Sequence, residues 1–251
     1  TGVEMAGAIA EVARQTLAAD FRRIDPRTAR IALIEAGPRL LPTFPAEQSD
    51  YVRAALERAG VEVKTDTRVI KCDAQGIDFE VGRIDAGTII WAAGVVASPA
   101  ARWLDAEADR AGRVKVGPDL SVPGHPDIFA IGDTAAVAGR LVPGIAPAAK
   151  QMGHYVAKVI AARIAGRPGD APFRYKQVGE LATIGRRAAV VNFGRLHLRG
   201  FIGWLFWSVV HIYFLIGLRN RFIVAFTWLW SYLTFQRGAR LITDPERESK
   251  K

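Results

Sequence analysis

The chain has 251 residues, half of them hydrophobic, with a formal net charge of +9 at pH 7 and a pI near 10.0. That length allows one large or two modest domains with a sizeable core. The lone cysteine, Cys72, excludes an intrachain disulfide framework, a Cys-x-x-Cys redox pair and a four-cysteine metal site, and no metal site is expected. The basic balance suits nucleic acid or an anionic membrane surface, and the placement of the charges decides between them. The opening Thr1-Gly-Val-Glu-Met-Ala-Gly-Ala has no basic region and no long apolar stretch, so no secretory signal is expected there.

Val3, Ala6, Ala10, Ala13 and Leu17 recur at helical spacing and predict a helix from Thr1 to about Asp20. After Pro26, Ala29-Arg-Ile-Ala-Leu-Ile-Glu35 reads as an apolar strand ending in an acid. Helix, loop, strand and terminal carboxylate form the second half of a βαβ dinucleotide unit. Thr1-Gly2 would be the tail of a Gly-rich phosphate turn. Glu35 would hold the adenosine ribose hydroxyls and repel a 2′-phosphate, although Arg39 nearby keeps NADPH open. The same residues also read as an ordinary helix packed on a strand with a solvated Glu35, because the fingerprint is incomplete.

Pro45 to Gly60 predicts a helix with Val52, Leu56 and Ala59 on one face, and Val61–Lys64 a short strand. Thr67–Ile70, Gly76–Val81 and Arg83–Ile84 read as a small antiparallel set. Gly87-Thr-Ile-Ile-Trp-Ala-Ala-Gly94 predicts a buried strand. Its small terminal residues, Ala93 and Gly94, would let a cofactor approach the backbone, or mark a tight strand-to-loop crossing without a ligand. Val114–Val116 is another short strand, and Pro118–Pro126 a loop. Asp127-Ile-Phe-Ala-Ile-Gly-Asp133 follows: a buried strand over Ile128–Ile131, a sharp exit at Gly132, and Asp133 at the carboxyl end, where open α/β sheets place ligands. Asp133 reads either as a polyol-binding carboxylate or as a cap of the next helix. That helix opens at Pro147, well placed in a first turn. Its positive end could face an electron-rich ring carbonyl.

The order of Thr1-Gly2-Val3-Glu4, Ile31–Glu35, Ile89–Gly94 and Ile131-Gly132-Asp133 resembles the two-dinucleotide-binding flavoprotein oxidoreductases, and within them the type II NADH:quinone oxidoreductases. The resemblance implies that Asp133 binds the FAD ribityl chain, that Glu35 meets the NADH ribose, that Gly94 lies on the NADH path, and that Glu4 sits near the nicotinamide. The family's quinone-lining Ala-Gln-x-Ala-x-Gln is matched by Ala146-Pro147-Ala148-Ala149-Lys150-Gln151. Its first glutamine is replaced by Pro147, so one polar contact is missing or taken over by Lys150. Gln151 matches the last position; by itself it reads as a helix-surface glutamine. FAD and NADH are the implied cofactors, Ala149, Lys150 and Gln151 line the flavin, and Glu4 and Gln151 are the candidate catalytic residues. His154 reads as structural or surface.

Tyr175–Val178, Leu181–Gly185 and Ala188–Phe193 predict strands. Gly200–Leu218 then carries no Asp, Glu, Lys or Arg; Arg219-Asn-Arg221 interrupts, and Phe222–Phe235 follows, closed by Arg237 and Arg240. Basic residues flank all three junctions, including Arg195 and Arg199, so a transmembrane hairpin has no consistent orientation, and its second segment is short. A pair of amphipathic helices lying in the membrane interface is the preferred reading. Trp204, Trp207, Trp228 and Trp230 supply anchors, Leu205, Val209, Ile212 and Ile216 an aliphatic face, and Trp204, Ser208 and His211 the more polar side. A buried helical pair or an oligomer interface is the third option. Nucleic acid is not expected, because the aromatics sit in apolar runs and not among basic residues.

Leu181-Ala-Thr-Ile-Gly-Arg186, His211–Gly217, Arg219-Asn-Arg221 and Gln236-Arg-Gly-Ala-Arg-Leu-Ile242 are similar to the C-terminal anchor of the bacterial type II enzymes. This implies a monotopic protein on the cytoplasmic face of the bacterial inner membrane, with a membrane quinone and anionic lipid as partners; a homodimer is left open. The expected class is α/β. Residues 1–117 would form a Rossmann-like NADH-binding domain, 118–170 the returning part of an FAD-binding domain, and 171–251 the C-terminal strands and interfacial helices at about 200–236. Relative to the family, an earlier FAD-binding βαβ unit, the first strand of the NADH unit and its first glycines are expected to be missing. The rival readings are a membrane-attached remnant without activity and a related reductase of sulfide:quinone or ferredoxin type.

Overall fold

The computed structural model describes residues 1–19, 21, 23–167 and 171–234. In chain order the helices are α1 (Gly2–Glu11), α2 (Ala46–Arg58), α3 (Ala100–Trp103), α4 (Ala146–Ile164), α5 (Gly200–Phe214) and α6 (Leu218–Thr234). The strands are β1 (Ile31–Ile34), β2 (Val61–Lys64), β3 (Val69–Asp73), β4 (Gly76–Phe79), β5 (Arg83–Asp85), β6 (Val114–Val116), β7 (Ser121–Val122), β8 (His125–Phe129), β9 (Ala135–Val137), β10 (Glu180–Thr183), β11 (Ala189–Phe193) and β12 (Leu196–Arg199). They fall into two compact units, one of residues 1–92 with 179–251 and one of residues 93–178.

In the first unit β1 and β2 pair in parallel, Ile31 opposite Val61 through Ile34 opposite Lys64. Val3, Ala6 and Ala10 of α1 share a core with Val52 and Leu56 of α2, and with Ala182 and Val190 of the β10-β11-β12 antiparallel sheet. Small residues let α1 lie directly on the β10 end: a Cβ at Gly7 would stand 2.8 Å from the Ile184 carbonyl carbon. The predicted helix changes pitch on the way to Asp20, which is outside the described residues. After Glu11 the chain forms a π-helical turn over Val12–Thr16 and a 3₁₀ turn over Leu17–Ala19. The predicted antiparallel set forms as β3-β4-β5, and Arg83 clamps its face through Asp73, Asp78 and Asp85.

In the second unit β6 pairs in parallel with β9, and α4 packs over them around Met152, Val156 and Phe173. Three expectations fail in this part of the chain. The strand expected at Ile128–Ile131 is displaced: β8 runs from His125 to Phe129 as one arm of a hairpin with β7, inside the stretch read as loop, and Ile128 and Ile131 are exposed. An antiparallel hairpin, unlike a strand inside a doubly covered parallel sheet, can leave one face to solvent. The segment from Gly87 to Gly94 is neither a strand nor buried, having no ladder among the described residues. Tyr175–Val178 forms no strand, and the Gln151 side chain, in place of a neighbouring strand, pairs with the Lys176 backbone.

Apolar stretches of the expected position form α5 and α6, 15 and 17 residues long. No described helix is long and apolar enough to cross a membrane. A Cβ at Gly203 would meet the Ala189 carbonyl at 2.6 Å, and Ser208 is buried, its hydroxyl donating to the Trp204 carbonyl. The smaller and more polar side of α5 therefore faces the protein. Leu205, Val209, Phe214, Phe222, Phe226 and Leu233 are exposed. Phe235 and the similarity over Gln236–Ile242 lie outside the described residues, as do Arg237 and Arg240.

Candidate functional site

The first unit carries one set of candidate residues at the carboxyl end of β1. A Cβ on Gly2 would lie 3.4 Å from Leu33 Cδ1 and 3.6 Å from Ala92 Cβ, so the first turn of α1 sits directly against the strand end. Glu35 follows β1. Its N–H donates to the Lys64 carbonyl (2.8 Å), its carbonyl accepts from the Thr67 N–H (3.0 Å), and its Oε1 accepts from the Gly37 N–H (2.8 Å). The backbone thus sets the direction of a half-buried carboxylate that keeps lone pairs for hydroxyl donors. Arg39 donates to the carbonyls of Pro42 (2.6 Å) and Phe44 (3.1 Å) and so closes its own loop. Glu4 accepts from the Thr183 N–H at 3.4 Å, while its other oxygen lies 3.7 Å from the Thr1 ammonium. A closely packed helix start with an aimed acid at the strand end fits a dinucleotide.

The second unit gathers Gly132, Asp133 and Ala149. Gly132 has φ +66° and donates its N–H to Met152 Sδ (3.1 Å); a Cβ there would lie 3.3 Å from Ala149 Cβ, so the turn rests on the first helical turn of α4. Asp133 is exposed, and a Cβ on Gly144 would come within 3.4 Å of its Oδ1. The missing side chain at 144 leaves room around the carboxylate, which fits a polyol chain. α4 has no side-chain cap and no acid in its first turn, so its positive end is not neutralised there. Ala146 and Lys150 are exposed on this turn, and the Lys150 carbonyl is 3.1 Å from His154 Nδ1. Gln151 makes a reciprocal pair with Lys176: its Nε2 donates to the Lys176 carbonyl and its Oε1 accepts the Lys176 N–H, both at 2.9 Å. Ala93 and Gly94 are exposed, Gly94 at φ +108° with open space where a side chain would be.

Sequence reasoning missed two arginines. Arg163, in the last turn of α4, donates to the Pro126 carbonyl (2.6 Å) and to Asp119 Oδ2 (3.3 Å) and lies over the Phe129 ring. It holds the hairpin that delivers Gly132 and Asp133. Burial pushes the Asp119 carboxyl up, but the Ser121 hydroxyl and N–H, with the Arg163 charge, outweigh it and hold Asp119 below its usual range. Arg186, inside a motif quoted above for resemblance alone, joins Glu11 to α6. A basic residue in a helix's last turn was the only signal for Arg163; Arg186 had none.

A parallel βαβ-type pair with a tight helix start and a terminal acid defines a Rossmann-like dinucleotide-binding protein. The chain belongs to the pyridine nucleotide-disulphide oxidoreductase family, whose model matches residues 1–153; the model for the NDH2 C-terminal domain matches residues 178–237. Among curated proteins it is similar to the type II NADH:quinone oxidoreductase Ndh of Mycobacterium tuberculosis, 43% identical over 98% of this chain and 55% of the relative. NdhA of the same organism is 40% identical over 97% and 54%. The chain spans about half the length of these relatives. NDH2 from Plasmodium falciparum, solved with NADH, shares the fold with a TM-score of 0.83 at 20% identity, over 92% of this chain and 64% of that one.

Proposed function

We propose that this chain is the C-terminal part of an FAD-dependent oxidoreductase that passes electrons from NADH to a membrane quinone without proton pumping. The observation that carries the reading is the joining, in one chain, of the Gly2–Glu35 dinucleotide end with the outward-facing apolar helices α5 and α6. FAD, when bound, supplies the two-electron chemistry. Asp133 accepts hydrogen bonds from its ribityl hydroxyls, and the uncapped start of α4 stabilises negative charge near Ala149. Glu35 holds the ribose of NADH, and Ala93 and Gly94 leave the approach open. Arg39, engaged with its own loop carbonyls, gives a 2′-phosphate little help. Glu4 orients the nicotinamide. Ala146, Lys150 and Gln151 line the quinone side; after its bonds to Lys176, the Gln151 amide still has one N–H to donate to a quinone carbonyl and one lone pair to accept from a quinol hydroxyl.

The helices α5 and α6 seat the protein on the cytoplasmic face of the inner membrane, with Arg195, Arg199, Arg219 and Arg221 meeting anionic headgroups. By role, NADH binding would occupy 1–117, the returning FAD part 118–170, and the C-terminal strands and anchor 171–251, whereas the compact units divide at 92/93 and 178/179. A second reading, a membrane-held chain without activity of its own, is favoured by the half-length coverage of the relatives.

The deciding experiment is the visible spectrum of the chain, purified from membranes in mild detergent, before and after anaerobic NADH. Flavin bands bleached by NADH are expected for the first reading. Membrane-bound protein without flavin would overturn activity in this chain and leave the second.

A further inference from the structure

Within the first unit, one side chain links helix α1 to helix α6. The Arg186 N–H donates to Glu11 Oε2 (2.9 Å), and its Nε lies 3.7 Å from Glu11 Oε1. Its Nη2 donates to the Ser231 carbonyl on α6 (2.5 Å), and the guanidinium stands 4.5 Å above the Tyr232 ring. Tyr232 meets Trp204 edge-on at 4.5 Å, which brings α5 into the same cluster. Arg186 and Glu11 are 18% and 24% exposed, so water screens the pair less than it would a surface pair. Glu11 is also where α1 leaves α-helical pitch for the π turn at Val12–Thr16. A π turn is a one-residue offset between two hydrogen-bond registers, and such turns gather at functional sites. The tie is therefore anchored where the hydrogen-bond register of the helix changes, next to Glu11.

We propose that Arg186 is a positioning residue that couples lipid seating of α6 to the register of α1, each stabilising the other through Glu11 on one side and Ser231 and Tyr232 on the other. The proposal rests on the membrane reading of α5 and α6. The first turn of α1 packs at Gly2 against Leu33, so a shift of the helix is felt at the dinucleotide end.

The test is amide hydrogen exchange of the chain, free and on vesicles of phosphatidylcholine with phosphatidylglycerol, with flotation run in parallel. In the unaltered chain, residues 12–19 should exchange on the order of tenfold more slowly on vesicles. Arg186→Met and Glu11→Gln should float equally well and lose that difference, and Arg186→Lys, which keeps the charge, should recover part of it. A purely structural Arg186 would raise exchange in both conditions and leave the vesicle-dependent difference intact in Arg186→Met; that result overturns the proposal. Flotation of the unaltered chain with unchanged exchange overturns the coupling alone. A chain that does not float overturns the membrane reading and the coupling with it. If Arg186→Met fails to fold by circular dichroism, Glu11→Gln decides.

Discussion

Strand β11 and helices α5 and α6 are built from the same kind of residue and sit in opposite surroundings. Ala189, Val190 and Val191 are fully buried, whereas Val209 of α5 is 60% exposed and Leu233 of α6 71%, although α5 begins at the residue after β12 ends. Along α5 the usual arrangement is inverted, with Gly203 and Ser208 turned to the protein and Leu205 and Val209 turned away. A face meant for water carries its polar residues outward, and contiguous apolar exposure on this scale marks an interaction surface. The contrast teaches that two apolar segments in one unit meet opposite surroundings, and that α5 turns its small residues to the protein and its large apolar ones outward.

The contrast breaks most readily on the outer face. Each large apolar side chain moved out of water is worth roughly 1.5–3 kcal/mol. The triple change Leu205→Ser, Val209→Ser and Phe222→Ser should therefore lower vesicle partitioning at least about a hundredfold in a sedimentation assay. The melting temperature should stay nearly constant; a large fall would mean that the face packs within the protein. On the inner side, Gly203→Val forces a side chain against the Ala189 carbonyl and should cost about 1–3 kcal/mol of stability in denaturant unfolding. Leu205→Ser alone should stay within about 0.5 kcal/mol. At the rim, Arg219→Gln with Arg221→Gln should weaken binding to anionic vesicles by about 1 kcal/mol per charge and leave neutral vesicles unaffected.

The smallest effect concerns acid. Arg113 and two backbone N–H groups hold Asp109 below its usual range, and Asp119 is likewise lowered. Both folded-state values lie below the unfolded ones, so their contribution is present above the usual 3.8 and is lost as pH falls through the folded values. Unfolding midpoints should be flat from pH 8 to 5 and fall below about 4. Asp119→Asn should soften that fall, and vesicle binding at pH 5 should be unchanged.

The sequence disclosed the parts that local chemistry dictates. Glu35 at the end of β1, Pro147 at the head of α4 and the charge-free run of α5 each follow from a few adjacent residues. What stayed hidden depends on neighbours far along the chain. Residues 87–94 read as a strand from their apolar run, but a strand exists only in a ladder, and none forms among the described residues. The β7–β8 hairpin did leave a trace, because Pro123-Gly124 is a turn pair and Gly124 sits at φ +82°. Reading that stretch as a loop displaced the following strand. Gln151 was placed on the correct helix, yet its reciprocal bond to Lys176 could not be inferred, because a side-chain amide can stand in for a strand neighbour without altering any pattern. Glu11 and Arg186 are 175 residues apart, beyond the reach of any motif.

Residues 89–96, Ile-Ile-Trp-Ala-Ala-Gly-Val-Val, contain neither charge nor proline, and Trp91, Val95 and Val96 are strongly exposed. An exposed apolar stretch outside any ladder among the described residues can pair with another chain. In solution at the concentrations spectroscopy needs, self-association should start in this segment, in addition to any clustering through the exposed apolar faces of α5 and α6. A single gatekeeper charge, Val95→Lys, should therefore raise the soluble fraction while the melting temperature stays where it was.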